Sequence, residues 1–396
     1  MNRIVWAVLI GVVAVPAFSE DVLVPGDNVS TTNIPAVPME LVRRADAYTN
    51  YRTASFAEWH PERLEMLILT RFGDTNQVHA VSRPGARREQ ITFYREPVLG
   101  VSAYGVRDGM PFFTFVQDRG GDEFYQVYRY DLATGAETLL TDGEKRNSGG
   151  VYSQAAGLLA YSRVDADGEG AFTQIRVVDP MDPATDRLVT TMRGGGWGPV
   201  DWSPDGKELL AREYVSINDS RVWLITVKNG KSKRLLPDDP GEEPVYVGGP
   251  QFAPDGKSIY VVSDAGSEFR QLTRVDLSSG KQTILSGNIE WNVDEFDVSP
   301  DGAYVAFETN EAGRSVLNVI DAATGMRVHT PVLPSGVMGG LKWHDDSQHL
   351  ALTVSTASIP GDVFVVNVPK NELTRWAYSE TDVNTVDFAE AELIEW

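Results

Sequence analysis

The 396-residue sequence contains no cysteine, which excludes disulfides, a thiol nucleophile and thiolate-bound metal, so stability has to come from packing. Histidine is scarce, with five residues at His60, His79, His329, His344 and His349. None sits in the helical H-E-x-x-H spacing of a zinc protease, and His344 and His349 fall across a hairpin. The nucleophile turn of a serine hydrolase, G-x-S-x-G, is missing as well. The nearest string, Gly313-Arg314-Ser315, lies between two strands and reads as a hairpin. The Asp-rich stretch Asp165 to Gly170 lacks the ligand spacing of a calcium loop and also reads as an exposed hairpin. No metal and no cofactor is expected. Basic residues are few, 35 against 56 acidic, and the formal charge of −21 disfavours phosphate backbones and anionic lipid. Nucleic acid is not an expected partner, and the scattered acids read as a solvated surface.

Apolar runs of membrane length are also lacking. The run at 4–15 follows Arg3 and ends at Pro16, after which Ala17-Phe18-Ser19 places small residues where a signal peptidase reads. This pattern predicts a signal peptide over 1–19, cut before Glu20. The mature chain is then expected to be exported, periplasmic or secreted, without a membrane anchor.

What is present is a repeat. Trp202-Ser203-Pro204-Asp205-Gly206-Lys207, Phe252-Ala253-Pro254-Asp255-Gly256-Lys257 and Val298-Ser299-Pro300-Asp301-Gly302 are copies of one turn, each followed by an apolar strand. Proline sets φ at the start of the turn and Asp-Gly supplies the positive φ that reverses the chain. Weaker copies occur at Trp59-His60-Pro61, Val106 to Gly109, Gln154 to Gly157 and Trp343 to Ser347. The markers fall at 63, 109, 157, 206, 256, 302 and 347, steps that each hold four strands and their turns. The pattern predicts an all-β protein, a seven-bladed β-propeller of four-stranded antiparallel blades. A sandwich has no reason to repeat its turn chemistry. His60 and His344 hold the same place in two repeats, which argues for a role in the turn.

The expected organisation is a signal peptide at 1–19, an N-terminal arm at 20–53 with a short helix near 39–48, the propeller at 54–378 and a connector at 379–396. All blades are expected to own four strands, so that no strand from one terminus completes the other's blade. Two loops are richer than the blades require. One runs from Asp118 to Gln126 and carries Arg119; in the other, Arg193 to Gly198, four glycines surround Trp197. A binding surface and a simple long loop with a close blade crossing are both open for them. Arg119 and Trp197 are the candidate substrate-binding residues they supply.

The chain resembles the N-terminal propeller of bacterial prolyl oligopeptidase and dipeptidyl-peptidase relatives. The likeness runs through Phe72-Gly73-Asp74-Thr75-Asn76-Gln77-Val78-His79, Gln90-Ile91-Thr92-Phe93, Glu96-Pro97-Val98, Asp118 to Gln126, Leu140-Thr141-Asp142-Gly143, Gly194-Gly195-Gly196-Trp197 and the first Ser-Pro-Asp-Gly turn. The later blades resemble a generic repeat shared with TolB-like proteins. The resemblance implies a propeller that caps an α/β-hydrolase domain and limits entry to small peptides. The serine, acid and histidine of that family lie in the hydrolase half, so no catalytic residue maps onto this chain. Phe388 to Trp396 resembles the family's connector into that half, and a chain truncated before its catalytic domain is the expectation. By the same resemblance Glu123 is the candidate for holding a peptide's free amino end. Small peptides and a hydrolase domain are the expected partners; the alternative is a stand-alone, TolB-like periplasmic propeller that binds protein.

Overall fold

The computed structural model describes residues 21–238 and 243–394, so the expected signal peptide lies outside the described residues. At the repeated turn, Ser203 Oγ donates to Asp205 (2.8 Å) and accepts the amide of Glu208 (2.9 Å), while Gly206 takes φ +69°. Ser299 repeats this with Asp301 (2.7 Å) and the Tyr304 amide (2.9 Å). In blades 2 (100–139), 5 (247–284) and 6 (293–328) an aspartate closes the third strand. Asp131, Asp276 and Asp321 each accept the amides two and three residues on, the Asx geometry that turns a chain without help from distant residues.

These local turns cut the chain into seven antiparallel sheets of four consecutive strands. Blades 1 to 7 span 55–90, 100–139, 146–193, 197–236, 247–284, 293–328 and 337–377. Among the described residues no blade borrows a strand: blade 7 is completed by Glu372–Ala377, and Val22 bridges to Pro38 instead. The core consists of apolar layers between neighbouring blades. Where the ring closes, Trp59, Met66 and Ile68 of blade 1 pack on Val363, Val365 and Trp376 of blade 7. Trp59 and Trp376 meet edge to face at 5.6 Å. Truncating so buried an indole to alanine would cost about 3–5 kcal/mol.

Alternation of strand direction gives the ring two unlike faces. Turns after the first and third strands, the Pro-Asp-Gly and Asx turns, lie on one, here called the turn face. Loops after the second strand and between blades lie on the opposite, loop face. Residues 21–51 with 381–384 form a separate small unit. It holds the helix Met39–Thr49, which begins after the extended Pro38 and has no buried residue.

Candidate functional site

Inner strands Ser55–Trp59, Gly100–Arg107, Arg146–Ser153, Trp197–Trp202, Val247–Phe252, Val293–Val298 and Val337–Trp343 surround the central channel. Toward the turn face it holds a cavity of about 620 Å³ lined from all seven blades. The residue just before each repeat's large terminal side chain reaches this wall: Glu58, Ala103, Val151, Asp201, Gln251, Asp297 and Lys342. Five of the seven are polar, where a sheet core would call for apolar residues.

Their partners explain the choice. Asp201 Oδ2 accepts the amide of Phe252 in the next blade at 2.7 Å. Gln251 Oε1 accepts the amide of Val298 (3.1 Å), and its Nε2 donates to Asp297 Oδ1 (2.9 Å). Asp297 Oδ2 in turn accepts the amide of Trp343 (2.7 Å). Each of these three side chains bonds the backbone of the next blade, and Gln251 also bonds the Asp297 side chain. At the closing seam, Lys342 donates to Glu58 Oε2 (2.9 Å), and Glu58 Oε1 accepts the amide of Trp59 (3.0 Å). Repeated tryptophans add a second set: Trp59 Nε1 donates to Lys342 O (3.0 Å), Trp202 Nε1 to Val151 O (2.9 Å) and Trp343 Nε1 to Asp297 O (3.2 Å).

Burial sets the electrostatics of this girdle. It pushes Asp201 up to about 7, against the stabilising amide of Phe252, and Asp297 up to about 6, against the pull of Lys342. Glu295, which accepts the amides of Gly340 (2.9 Å) and Leu341 (3.1 Å) across the same seam, is pushed by burial up to about 7. The Glu58 carboxylate raises the Lys342 ammonium. Both oxygens of Glu58 and of Asp297 are engaged, so these acids act as inter-blade fasteners. Among the described residues no group of histidine, aspartate and glutamate is placed to hold a metal.

His60 and His344 are built into turns, as their repetition suggested, whereas His79 and His349 lie in strands. His60 Nδ1 accepts the amides of Glu62 (3.0 Å) and Arg63 (3.2 Å), and burial lowers its pKa. His344 Nδ1 accepts the amide of Asp346 (3.1 Å), leaving Nε2 to donate to Arg63 O (3.2 Å) across the closing seam. Gly313 and Ser315 form the expected hairpin in blade 6, and residues 165–170 form the hairpin of blade 3, where Arg193 holds Asp167 and Glu169.

The two rich loops part ways. Trp197 is 7% exposed, part of the blade 3 and 4 core, packed on Trp223 at 5.4 Å with its indole donating to Arg193 O (2.7 Å). A Cβ on Gly196 would lie 2.1 Å from Tyr214 O, so this glycine serves the close approach of the chain to the second strand of blade 4. The Asp118 to Gln126 loop, by contrast, is open. Glu123 takes φ +61°, rare for a side chain-bearing residue, with its amide on Asp118 (3.2 Å). Asp122 accepts the amides of Arg119 (3.4 Å) and Phe124 (2.9 Å). A cavity of about 430 Å³ beside this loop gathers Arg119 with Glu96, Asp118, Asp122 and Glu144. Glu123 faces Arg146 of blade 3 at 4.0 Å, both carrying more than half their side-chain surface exposed. Trp197 lines neither cavity.

No family model matches the chain. It is 26% identical over 167 residues to dipeptidyl-peptidase 5 of Porphyromonas gingivalis, covering 36% of this chain and 24% of the relative. It is 27% identical over 190 residues to the peptidase YuxL of Bacillus subtilis, covering 46% of this chain and 25% of that one. Among solved structures it superposes on a prolyl endopeptidase with a TM-score of 0.69 at 13% identity, over 87% of this chain and 53% of that one. A puromycin hydrolase gives a TM-score of 0.69 at 17% identity, over 87% and 56%. The chain thus matches about half the length of these solved enzymes and about a quarter of these two curated relatives. The fold is that of the propeller region of prolyl oligopeptidases and puromycin hydrolases, as the sequence motifs implied.

Proposed function

We propose that this chain is the gating and substrate-selecting propeller of an exported serine peptidase of the prolyl oligopeptidase kind, working with a hydrolase domain that covers its loop face. The supporting observation is an asymmetry between the two faces. Phe72, Phe93 (75% exposed), Phe124, Ile217 (75%), Trp291 and Val332 (92%) all stand in loops of the loop face. On the turn face, Met110 and Met326 are the exposed large apolar side chains among the described residues. Apolar surface concentrated on one face is the mark of a covered one. Glu123, Arg119 and the cavity beside them open on the same face, at the rim where a peptide would meet both domains.

Glu123 is suited to a peptide's amino end because its present partner is weak. An exposed ion pair at 4.0 Å to Arg146 is worth less than about 1 kcal/mol, so a ligand ammonium can replace it. Arg119 would face the peptide's carboxylate or carbonyl groups. Calorimetric titration of the purified chain with short peptides is expected to show binding that weakens on N-terminal acetylation and in Glu123→Ala. Identical affinities for free and acetylated peptides would remove the role given to Glu123. The chain by itself is expected to release no product from a proline-containing chromogenic peptide, and serine-inhibitor-sensitive hydrolysis would overturn the reading. A stoichiometric partner that is not a hydrolase would favour the TolB-like alternative. Export is checked by sequencing the secreted chain's amino terminus, expected at Glu20.

A further inference from the structure

The channel wall is fastened unevenly. Seams 6/7 and 7/1 carry both devices, a polar girdle side chain and an indole bond to the neighbouring carbonyl. Seams 4/5 and 5/6 keep the girdle bond, and seam 3/4 keeps the indole bond. At blade 2 both are gone. Its girdle residue is Ala103, the next blade's is Val151, and the tryptophan position holds Tyr104 and Tyr152, which have no indole N–H. Glu58, which could have reached toward blade 2, is spent on Lys342 and on its own neighbour's amide.

The rest of blade 2 is held. At the turn-face end Arg107 donates to Gly157 O (3.0 Å) and pairs with Asp179 (3.1 Å). Farther out, Arg129 donates to Pro180 O (2.8 Å) and Tyr130 to Ile91 O (3.1 Å). At the loop face Asn147 donates to Gln126 (3.1 Å), tying the third strand of blade 2 to blade 3. The bulge between Val101 and Ala103 recurs in the inner strand of every blade, so the pairing with its own blade does not set this strand apart and the missing inter-blade bonds do.

We propose that the inner strand Gly100–Arg107 is the yielding sector of the channel wall, anchored at the turn face by Arg107 and at the loop face by Val98 and Leu99, whose amides donate to Asn76 O and Val116 O (both 2.9 Å), and free to bow between these anchors while its outer strands stay fixed. The sector lines the channel with Ser102, Ala103, Tyr104 and Val106, so its opening widens the path without breaking the ring at the seam where the chain's two ends meet. That this path admits peptides rests on the function proposed above; the motion does not.

Hydrogen exchange on the purified wild-type chain tests the motion directly, because local opening is set by local fastening. Segment 100–107 is expected to exchange roughly tenfold or more faster than the inner strands 293–298 and 337–343. Equal or slower exchange overturns the proposal. A lock gives the second test in a chain without native cysteine. A Cβ built on Gly149 lies 2.9 Å from Ser102 Oγ, so Ser102→Cys with Gly149→Cys is placed to form a disulfide across the seam. Oxidation is expected to slow exchange of 100–107 by about tenfold, with recovery on reduction, and to slow peptide association in the same proportion. A lock that forms and leaves association unchanged overturns the gating role. If the wild-type chain binds no peptide, the peptide-selecting reading fails, while the exchange contrast still decides whether this strand yields.

Discussion

Blade 7 and blade 2 carry the same four-stranded plan and solve the channel wall differently. Blade 7 presents Lys342 and Trp343, which together bond both neighbouring blades: Lys342 to Glu58 and from Trp59 of blade 1, Trp343 to the backbone and side chain of Asp297 of blade 6. Blade 2 presents Ala103 and Tyr104, and there apolar packing and a ring contact between His60 and Tyr104 at 4.8 Å take over. Directional bonds fix the register between blades, whereas apolar contact tolerates sliding. The difference shows why the seam joining the two ends of the ring need not be its weakest: the strongest set of fasteners sits there, offsetting the missing chain connection.

The largest break in this contrast is expected from Lys342→Met, which leaves Glu58 without its cation and Asp297 with one positive neighbour fewer. The cost should be about 2–3 kcal/mol in urea unfolding, less than for a fully buried pair because the channel admits water. Trp59→Phe comes next, with a loss of about 1–2 kcal/mol for the indole bond and trimmed packing, while Tyr104→Phe at the equivalent place should stay within about 0.5 kcal/mol. Similar losses at the two positions would erase the distinction between the seams.

The pH response sharpens it further. Asp201 pushed up to about 7 and Asp297 up to about 6 hold protons in the folded ring that the unfolded chain has released. Their contribution to stability is therefore full below about pH 4 and is lost as pH rises through 6 and 7. Buried His60 and His79, with lowered pKa values, work in the opposite direction, so a single variant is needed to isolate the girdle. Asp201→Asn should melt above wild type at pH 8, by about 1 kcal/mol, and level with it near pH 4.5. A constant offset at both pH values would show that Asp201 is ionised throughout. The smallest effect belongs to Glu123→Ala, within about 0.5 kcal/mol of wild-type stability, since its carboxylate lies on an exposed loop. A larger loss would mean that Glu123 holds the loop's shape.

Much of the architecture is legible because it is built from local chemistry. Ser203-Pro204-Asp205-Gly206 closes its turn with its own side chains, and Asp276 and Asp321 do the same at the other end of the hairpin, so the repeat length and blade count can be read directly. Helix 39–49 and the strand Ser258–Ser263 likewise fall where their patterns put them. The girdle was legible only in part. A polar residue before Trp59, Trp202 and Trp343 breaks the apolar pattern of an inner strand, but its partner lies a whole blade away. Trp197 shows the converse: four glycines around a large ring suit a binding loop and a tight crossing equally well, and only the position of Tyr214 O distinguishes them.

By itself, then, the order of residues determined the seven turns, the strands between them and the absence of a nucleophile turn, since each depends on neighbours a few positions apart. The tertiary structure alone decided which carboxylates became fasteners, which seams lack them and which face gathers the apolar loops. Those properties belong to pairs of residues some 45 or more positions apart in the chain, brought together only when the ring closes.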